Sequence, residues 1–115
     1  MDRGHISSLA EQARAHHIAV ILGSILPVAR YPRRPGIDPV GTIAAINAWM
    51  KAYAQRNRLT YVDYYSALQD SGHGFKRALT LDGVHPNPAG FAVMRPLAQD
   101  AVKRALALGN LSNGR

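Results

Sequence analysis

The sequence IAVILGS at residues 18–24 predicts a buried β-strand. An unbroken run of apolar and β-branched residues suits a strand that is covered on both faces, as in a parallel sheet between layers of helices. Gly23 and Ser24 end this run, and Pro27 stops the strand from continuing because proline cannot donate a hydrogen bond to a neighbouring strand. The chain is therefore expected to have an α/β fold built around this strand.

Helical patterns flank the predicted strand. Residues 6–16 are mildly amphipathic, and Asp38 followed by Pro39 is typical of a helix start, with an N-cap residue before a proline in the first turn. The helix that follows has apolar residues at helical spacing, which predict one core face: Ile43, Ile46, Trp49, Met50 and Tyr53. A core face is a commoner use of such a pattern than a cofactor site.

A second strand and a last helix are predicted further along the chain. TYVDYY at residues 60–65 is rich in β-branched and aromatic residues, which favours a strand, and its Asp63 is expected to bond the backbone rather than act in catalysis. Residues 88–108 predict the last helix, and Pro96 is expected to kink it. The residues predicted to face inward from this helix are Phe91, Met94, Leu97, Ala101, Val102 and Ala105.

The resulting order, α-β-α-β-α, predicts two parallel strands joined by a right-handed crossover. Two strands make a poor sheet, because the outer edge of the first strand leaves unpaired backbone groups beside apolar side chains. We therefore expect another chain to complete the sheet, and the preferred arrangement is a homodimer that pairs strand to strand across this edge. A domain-swapped arrangement is an alternative.

The sequence TLDGVHPNPAG at residues 80–90 carries the strongest chemical signal of the chain. Asn87 is a good N-cap and Pro88 suits a first helical turn, so a loop is expected to bring Asp82 and His85 to a helix entrance. An imidazole that a carboxylate orients is the general base that nucleophilic acyl transfer needs. The pair has no third ligand at suitable spacing, so the sequence predicts no metal site and no cofactor.

The block from Asp82 to Gly90 resembles the last conserved block of the GDSL-type, or SGNH, serine hydrolases, in which an Asp-x-x-His pair supplies two members of the catalytic triad. The preceding elements resemble that family in pattern and order. The resemblance implies a single but partial SGNH domain over residues 1–115, with a partial flavodoxin-like fold. The resemblance assigns catalytic roles only to Asp82 and His85. The family's Gly-Asp-Ser block, its second-block glycine and its Gly-x-Asn-Asp block are absent from this sequence.

Two serines of the chain are candidate nucleophiles. Ser24 follows the first predicted strand at its carboxyl end, where α/β sheets collect their active sites and where the loop with Asp82 and His85 is expected to lie. A strand-terminal serine that only bonds the backbone is the commoner case, and the matching family position is ordinarily not the nucleophile. Ser66 is the weaker candidate. The other serines considered have no base nearby in the sequence: Ser7, Ser8 and Ser112.

The composition excludes several classes of protein. The formal net charge of +7 is concentrated partly in the loop with Arg30, Arg33 and Arg34, which is rich in proline and has no recognition-helix pattern, so no nucleic-acid partner is expected. A basic rim of this kind is expected at most to steer anionic esters. No run is long enough to span a membrane and no secretory signal is recognisable, so a cytoplasmic location is the default. With no cysteine, the chain has neither disulfides nor a thiol nucleophile.

Two functions follow as hypotheses. The resemblance implies a carboxylester hydrolase that cleaves short acyl esters, with His85 as base, Asp82 as its orienter, and Ser24 or a serine of a partner chain as nucleophile. The alternative is a catalytically incomplete C-terminal fragment of a hydrolase that serves as a binding or self-associating module. The sequence does not identify the ester, the oxyanion donors or the number of subunits.

Overall fold

The computed structural model describes residues 3–31, 34 and 36–112, with side chains to residue 108. Helix α1 is followed by strand β1, helix α2 and strand β2, and then by the short helix α3, a 3₁₀ turn and helix α4. Their bounds are α1 Arg3–Ala15, β1 Ile21–Gly23, α2 Pro39–Asn57, β2 Thr60–Val62, α3 Tyr64–Leu68, the 3₁₀ turn Arg77–Leu79 and α4 Pro88–Ser112.

Strands β1 and β2 form a parallel pair, in which Ile21 lies opposite Thr60 and Gly23 opposite Val62. Helix α2 is the crossover between them, and both α2 and α4 pack against the two strands. The predicted α/β fold with parallel strands is therefore confirmed. Within the described residues, no helix is both apolar enough and long enough to cross a membrane.

Strand β1 is shorter and more exposed than predicted. The ladder covers only Ile21–Gly23, and the prediction of a strand buried on both faces is wrong, because Ile18 is 59% exposed and Ile21 is 39% exposed. By contrast, Val62 in β2 is buried. The two strands have one strand neighbour each among the described residues, but α2 and α4 pack more extensively against β2 than against β1.

Strand β2 ends at Val62, three residues earlier than predicted, because Asp63 starts helix α3. The Asp63 carboxylate accepts the backbone N–H of Ser66 at 3.0 Å, which is an N-cap bond. The prediction that Asp63 has a structural role is thus confirmed, while the prediction that residues 63–65 continue the strand is wrong. Leu68, at the end of α3, is fully buried.

Helix α2 begins as predicted, with the Asp38 carboxylate accepting the Val40 N–H at 3.0 Å and Pro39 in the first turn. It buries Ile43, Met50 and Tyr53 in the core, as the helical spacing indicated. The Trp49 ring stacks on Tyr53 at 5.2 Å between centroids, and the Arg3 guanidinium of α1 lies over that indole at 5.6 Å from its centroid. This cation–π contact joins α1 to α2.

Helix α4 buries Ala101 and Ala105 but not all of its predicted inward face. Phe91 and Val102 are about half exposed, so the prediction that they face the core is wrong. The buried side chains of this face are small alanines, which allow the helix to lie close to the two strands. The helix also continues beyond residue 108, to Ser112, and Pro96 lies inside it.

Candidate active site

A loop between the 3₁₀ turn and α4 carries both residues of the predicted base. Nδ1 of His85 lies 2.7 Å from Oδ2 of Asp82. The other carboxylate oxygen, Oδ1, accepts the backbone N–H groups of Val84 and His85, both at 2.8 Å. Asp82 therefore holds both the main chain and the side chain of the histidine, and the imidazole has a fixed direction.

These bonds favour the ionised carboxylate. The hydrogen bond from the His85 side chain holds the pKa of Asp82 well below its ordinary value, and the two backbone N–H donors add to this effect. The pair is open to solvent: the side chain of His85 is 79% exposed and that of Asp82 is 50% exposed. Because Asp82 is charged and bonded to Nδ1, it favours the tautomer with the proton on Nδ1, so Nε2 is free to accept a proton.

Thr80 closes the loop around this pair. Its hydroxyl donates to the carbonyl oxygen of His85 at 2.7 Å and accepts the N–H of Gly83 at 3.0 Å. It also lies 3.4 Å from Oδ1 of Asp82. Gly83 adopts a φ of 80°, a conformation that glycine reaches without strain. The threonine hydroxyl thus joins the start of the loop to its end, because it bonds the main-chain carbonyl of His85, five residues later.

Asn87 anchors the loop to the elements on either side. Its side-chain Oδ1 accepts the N–H of Gly90 at 2.9 Å, which is the N-cap bond of α4, and its Nδ2 donates to the carbonyl of Ala78 at 3.0 Å. Its own backbone N–H donates to the carbonyl of Leu79 at 2.9 Å. The predicted N-cap is therefore confirmed, and the same side chain also fixes the helix start to the 3₁₀ turn.

Ser24 lies at the carboxyl end of β1, as predicted, but its bonds are with the neighbouring backbone and with the Tyr61 side chain. It is 7% exposed, its N–H donates to the carbonyl of Val62 at 3.0 Å, and its hydroxyl oxygen accepts the N–H of Tyr65 at 3.0 Å. Burial raises the pKa of the Tyr61 phenol, the charge of Asp63 raises it further, and the neighbouring Ser24 hydroxyl opposes the shift. Within the described part of the chain, no hydrogen bond joins Ser24 to His85.

The weaker serine candidates are also engaged in local structure. Ser66 donates its hydroxyl to Asp63, which it meets at the start of α3. Ser7 donates to the carbonyl of Arg3 inside α1, and Ser8 accepts from the side chain of Gln12. The side chain of Ser112 lies outside the described residues. Among residues 3–31, 34 and 36–108, the structure shows no hydrogen bond from Ser7, Ser8 or Ser66 to the imidazole of the loop.

A cleft of about 540 Å³ opens beside Asp82. Arg30 and Tyr31 line it on one side, and Asp70 and Phe75 also face it. Two carboxylates accompany the single described guanidinium, so the cleft is not a uniformly basic rim that would steer anions. Arg33, which the sequence placed in the same basic loop, lies outside the described residues.

Sequence reasoning predicted that Asp82 and His85 lie together in this loop, but it missed the role of Thr80 in holding the loop. Thr80 is the first residue of the sequence 80–90 that carries the chemical signal. A threonine in a glycine-containing loop commonly forms a turn in which its hydroxyl bonds the nearby backbone, and this pattern could have indicated its role.

No cluster of three or more histidine or carboxylate side chains suited to a metal ion is found among the residues that the structure describes.

Comparisons with known proteins agree with this fold. The model of the GDSL-like lipase/acylhydrolase family matches residues 2–93. A solved protein from Bacteroides fragilis, assigned as an acylhydrolase, is 44% identical over 90% of this chain and 50% of its own, with a TM-score of 0.84. A GDSL-like lipase from Bacteroides thetaiotaomicron is 38% identical over 89% of this chain and 51% of its own, with a TM-score of 0.82.

The chain therefore spans about half the length of these two solved proteins. None of the curated proteins compared with it gives a significant match.

Proposed function

The chain belongs to the GDSL-like lipase/acylhydrolase family, and from this premise we propose that it carries the general base of a carboxylester hydrolase of SGNH type that acts on short acyl esters. The observation that carries this proposal is the 2.7 Å contact between His85 Nδ1 and Asp82 Oδ2. It leaves Nε2 as the proton acceptor, on an imidazole that is exposed and therefore accessible to a substrate and a nucleophile.

In the proposed reaction, Nε2 of His85 removes the proton of a serine hydroxyl while the serine oxygen attacks the ester carbonyl carbon. The ionised Asp82 stabilises the imidazolium that results. The imidazolium then gives the proton to the alkoxide as the bond between carbonyl carbon and alcohol oxygen breaks. Water, deprotonated by the same nitrogen, releases the acid from the serine, so each half of the cycle returns His85 to its neutral form.

Two sources of the serine are consistent with this role: Ser24, or a serine from a segment that completes the domain. The contacts of Ser24 favour the second source. Its hydroxyl oxygen is buried and accepts the N–H of Tyr65, so attack on an ester would require that bond to break and the oxygen to become exposed. We therefore propose that this chain supplies the base and its orienter, and that the nucleophile comes from the completing segment.

The test is a chimera in which this chain replaces the matched half of the Bacteroides fragilis protein, assayed on p-nitrophenyl acetate and with a fluorophosphonate serine probe. We expect turnover and a single serine adduct. His85→Ala should lower kcat by several orders of magnitude, up to roughly 10⁶-fold, because the triad acts as a unit. His73→Ala is the matched control, since His73 is an exposed loop histidine bonded to Gln69.

Ser24→Ala in the same chimera separates the two sources of the nucleophile. Unchanged turnover, with the adduct mapped elsewhere, supports a serine from the completing segment, whereas loss of both turnover and adduct assigns the role to Ser24. A folded chimera whose turnover survives His85→Ala contradicts the proposed base.

A second candidate function is a binding or self-associating module without catalysis of its own. The open edge of β1 is the observation that favours it, since Ile18 and Ile21 are exposed there. Pairing of two copies across this edge stays a prediction.

A further inference from the structure

A basic cleft lies at the amino end of the two strands. Its volume is about 780 Å³, and residues 18–20, which lead into β1, form part of its wall. Arg14, Arg56 and Arg58 also line it. Within the part of the chain that the structure describes, no acidic side chain lines this cleft, and it shares no lining residue with the cleft beside Asp82. The basic cleft is therefore a second candidate site, with its own chemistry.

Two basic residues of this cleft have an unusual backbone. Arg58, at the end of α2, has a φ of 55°, and His17, which follows α1, has a φ of 58°. In both turns the N–H of the next residue donates to the carbonyl of the residue five positions before it, at 2.9 and 2.8 Å. Glycine is the usual residue at such a helix end, because the left-handed region strains other residues. Both helices that end at the cleft thus have a basic side chain where glycine would be less strained.

A third basic side chain of the cleft is held by a neighbour on α2. Nη1 of Arg14 donates to Oδ1 of Asn57 at 3.4 Å, and Nδ2 of that asparagine donates to the carbonyl of Tyr53 at 2.9 Å. Asn57 thus links α1 to α2 beside the cleft. Thr60 also lines the cleft, and its Oγ1 is buried without a hydrogen-bond partner among the described residues. Buried polar groups usually have a partner, so this hydroxyl marks a polar site that the described residues do not complete.

The chemistry of these side chains favours an anion with more than one negative charge. The cleft has three guanidinium groups, so a single carboxylate would leave most of their positive charge unpaired. A phosphoryl group offers three acceptor oxygens, and the planar fork of arginine bonds two of them at once. The volume of about 780 Å³ also falls in the range of about 300–1,000 Å³ that is typical of small-molecule pockets. Residues 18–20 are apolar and would cover the organic part of such a ligand.

We propose that this cleft binds a small phosphorylated molecule, whose phosphoryl group is held by Arg14, Arg56 and Arg58 and whose organic part lies against residues 18–20. The left-handed backbone of Arg58 is then a consequence of placing its guanidinium in the cleft. The proposal is independent of the chemistry assigned to His85, since none of these residues belongs to that loop.

The experiment titrates the 115-residue chain with inorganic phosphate at constant ionic strength and follows the NMR signals of the arginine Nε–H groups. We expect saturable shifts of the signals from Arg14, Arg56 and Arg58. Phenyl phosphate should bind more tightly than inorganic phosphate, because its ring gains an apolar wall. Arg56→Gln should weaken binding about tenfold, because it removes a hydrogen bond between charged groups. Arg77→Gln is the matched control and should bind normally, since Arg77 is an exposed arginine outside the cleft.

Arg58→Gly separates ligand binding from a purely structural role, since a cation at a helix C-terminus also stabilises the helix itself. If Arg58 binds the ligand, Arg58→Gly should weaken phosphate binding about tenfold. The same variant should raise the Tm by about 3 °C without phosphate, because it relieves the left-handed strain. If Arg58 serves only the helix, Arg58→Gly should lower the Tm and bind phosphate normally, and this result overturns the proposal.

Three further results would also overturn it, with circular dichroism used to show that each variant is folded. The first is that phosphate produces no saturable shift of the cleft arginines. The second is that Arg77→Gln weakens binding as much as Arg56→Gln, which indicates a general attraction of the basic surface. The third is that the chain sediments with phosphatidic acid vesicles and Arg56→Gln abolishes this, which assigns the cleft to a lipid headgroup instead of a free small molecule.

Discussion

Replacement of Asn87 by alanine should destabilise the protein by about 2 kcal/mol. The magnitude has two parts. Loss of the N-cap bond to Gly90 costs about 1 kcal/mol, and loss of the bond from Nδ2 to the Ala78 carbonyl costs about 1 kcal/mol more. The backbone bond from Asn87 to Leu79 does not involve the side chain and should persist. The destabilisation therefore measures how firmly the side chain ties α4 to the 3₁₀ turn.

Asn87→Asp is the matched variant, because it keeps an acceptor for the Gly90 N–H and removes only the Nδ2 donor. It should cost about 1 kcal/mol, half of the alanine effect, since a carboxylate is also favourable at a helix N-terminus. Urea unfolding followed by far-UV circular dichroism measures both values. In a thermal scan the alanine variant should have a Tm lower by roughly 8 °C.

The two variants test the bonds to Gly90 and to Ala78 separately. If Asn87→Ala changes the free energy of unfolding by less than about 0.5 kcal/mol, the side chain of Asn87 does not stabilise the start of α4. If the aspartate variant is as damaging as the alanine variant, the acceptor contributes nothing and the bond to Ala78 alone explains the effect.

Three further predictions concern the loop and the first turns of α2 and α4. The pKa of Asp82 is lowered by folding, so its contribution to stability is present above the unfolded value of about 4 and is lost as pH falls below it; Asp82→Asn should flatten this acid dependence of the urea midpoint. Gly90→Ala should cost about 1–3 kcal/mol, because its Cβ would lie 2.6 Å from the Leu79 carbonyl oxygen, whereas Gly41→Ala meets nothing within 4 Å and should stabilise by about 0.5–1 kcal/mol in thermal unfolding. Thr80→Val should destabilise the protein by about 1–2 kcal/mol in urea unfolding, because it removes the hydroxyl that donates to the His85 carbonyl and accepts the Gly83 N–H, and Thr80→Ser should restore the stability.

The parts of the fold that were predictable are those encoded by neighbouring residues. Asp38 and Asn87 cap the helices that their sequences indicate, because an N-cap bond spans only two or three residues. The contact between Asp82 and His85 likewise spans three residues. Local bonds of this kind are visible in a sequence, since the spacing alone determines whether the groups meet.

The errors have two sources. The aromatic pattern predicted a strand as far as residue 65, but the strand ends before Asp63. The capping bond between Asp63 and the N–H of Ser66 outweighs a weak strand propensity. The burial of Ile18, Ile21 and Phe91 was mispredicted because apolar residues show only that burial would be favourable, and not which element provides it. The pairing of Asn47 with Ile25 joins residues 22 apart, so no local pattern indicated it.

The bonds that hold the candidate base are all formed between residues close together in the sequence. Asp82 fixes the imidazole of His85, Thr80 bonds the main-chain carbonyl of His85 within the same loop, and Asn87 joins that loop to the adjoining 3₁₀ turn. These bonds require no strand beyond β1. The base is therefore expected to form within this chain alone, whereas the nucleophile proposed above comes from the completing segment, so the two should respond to different substitutions.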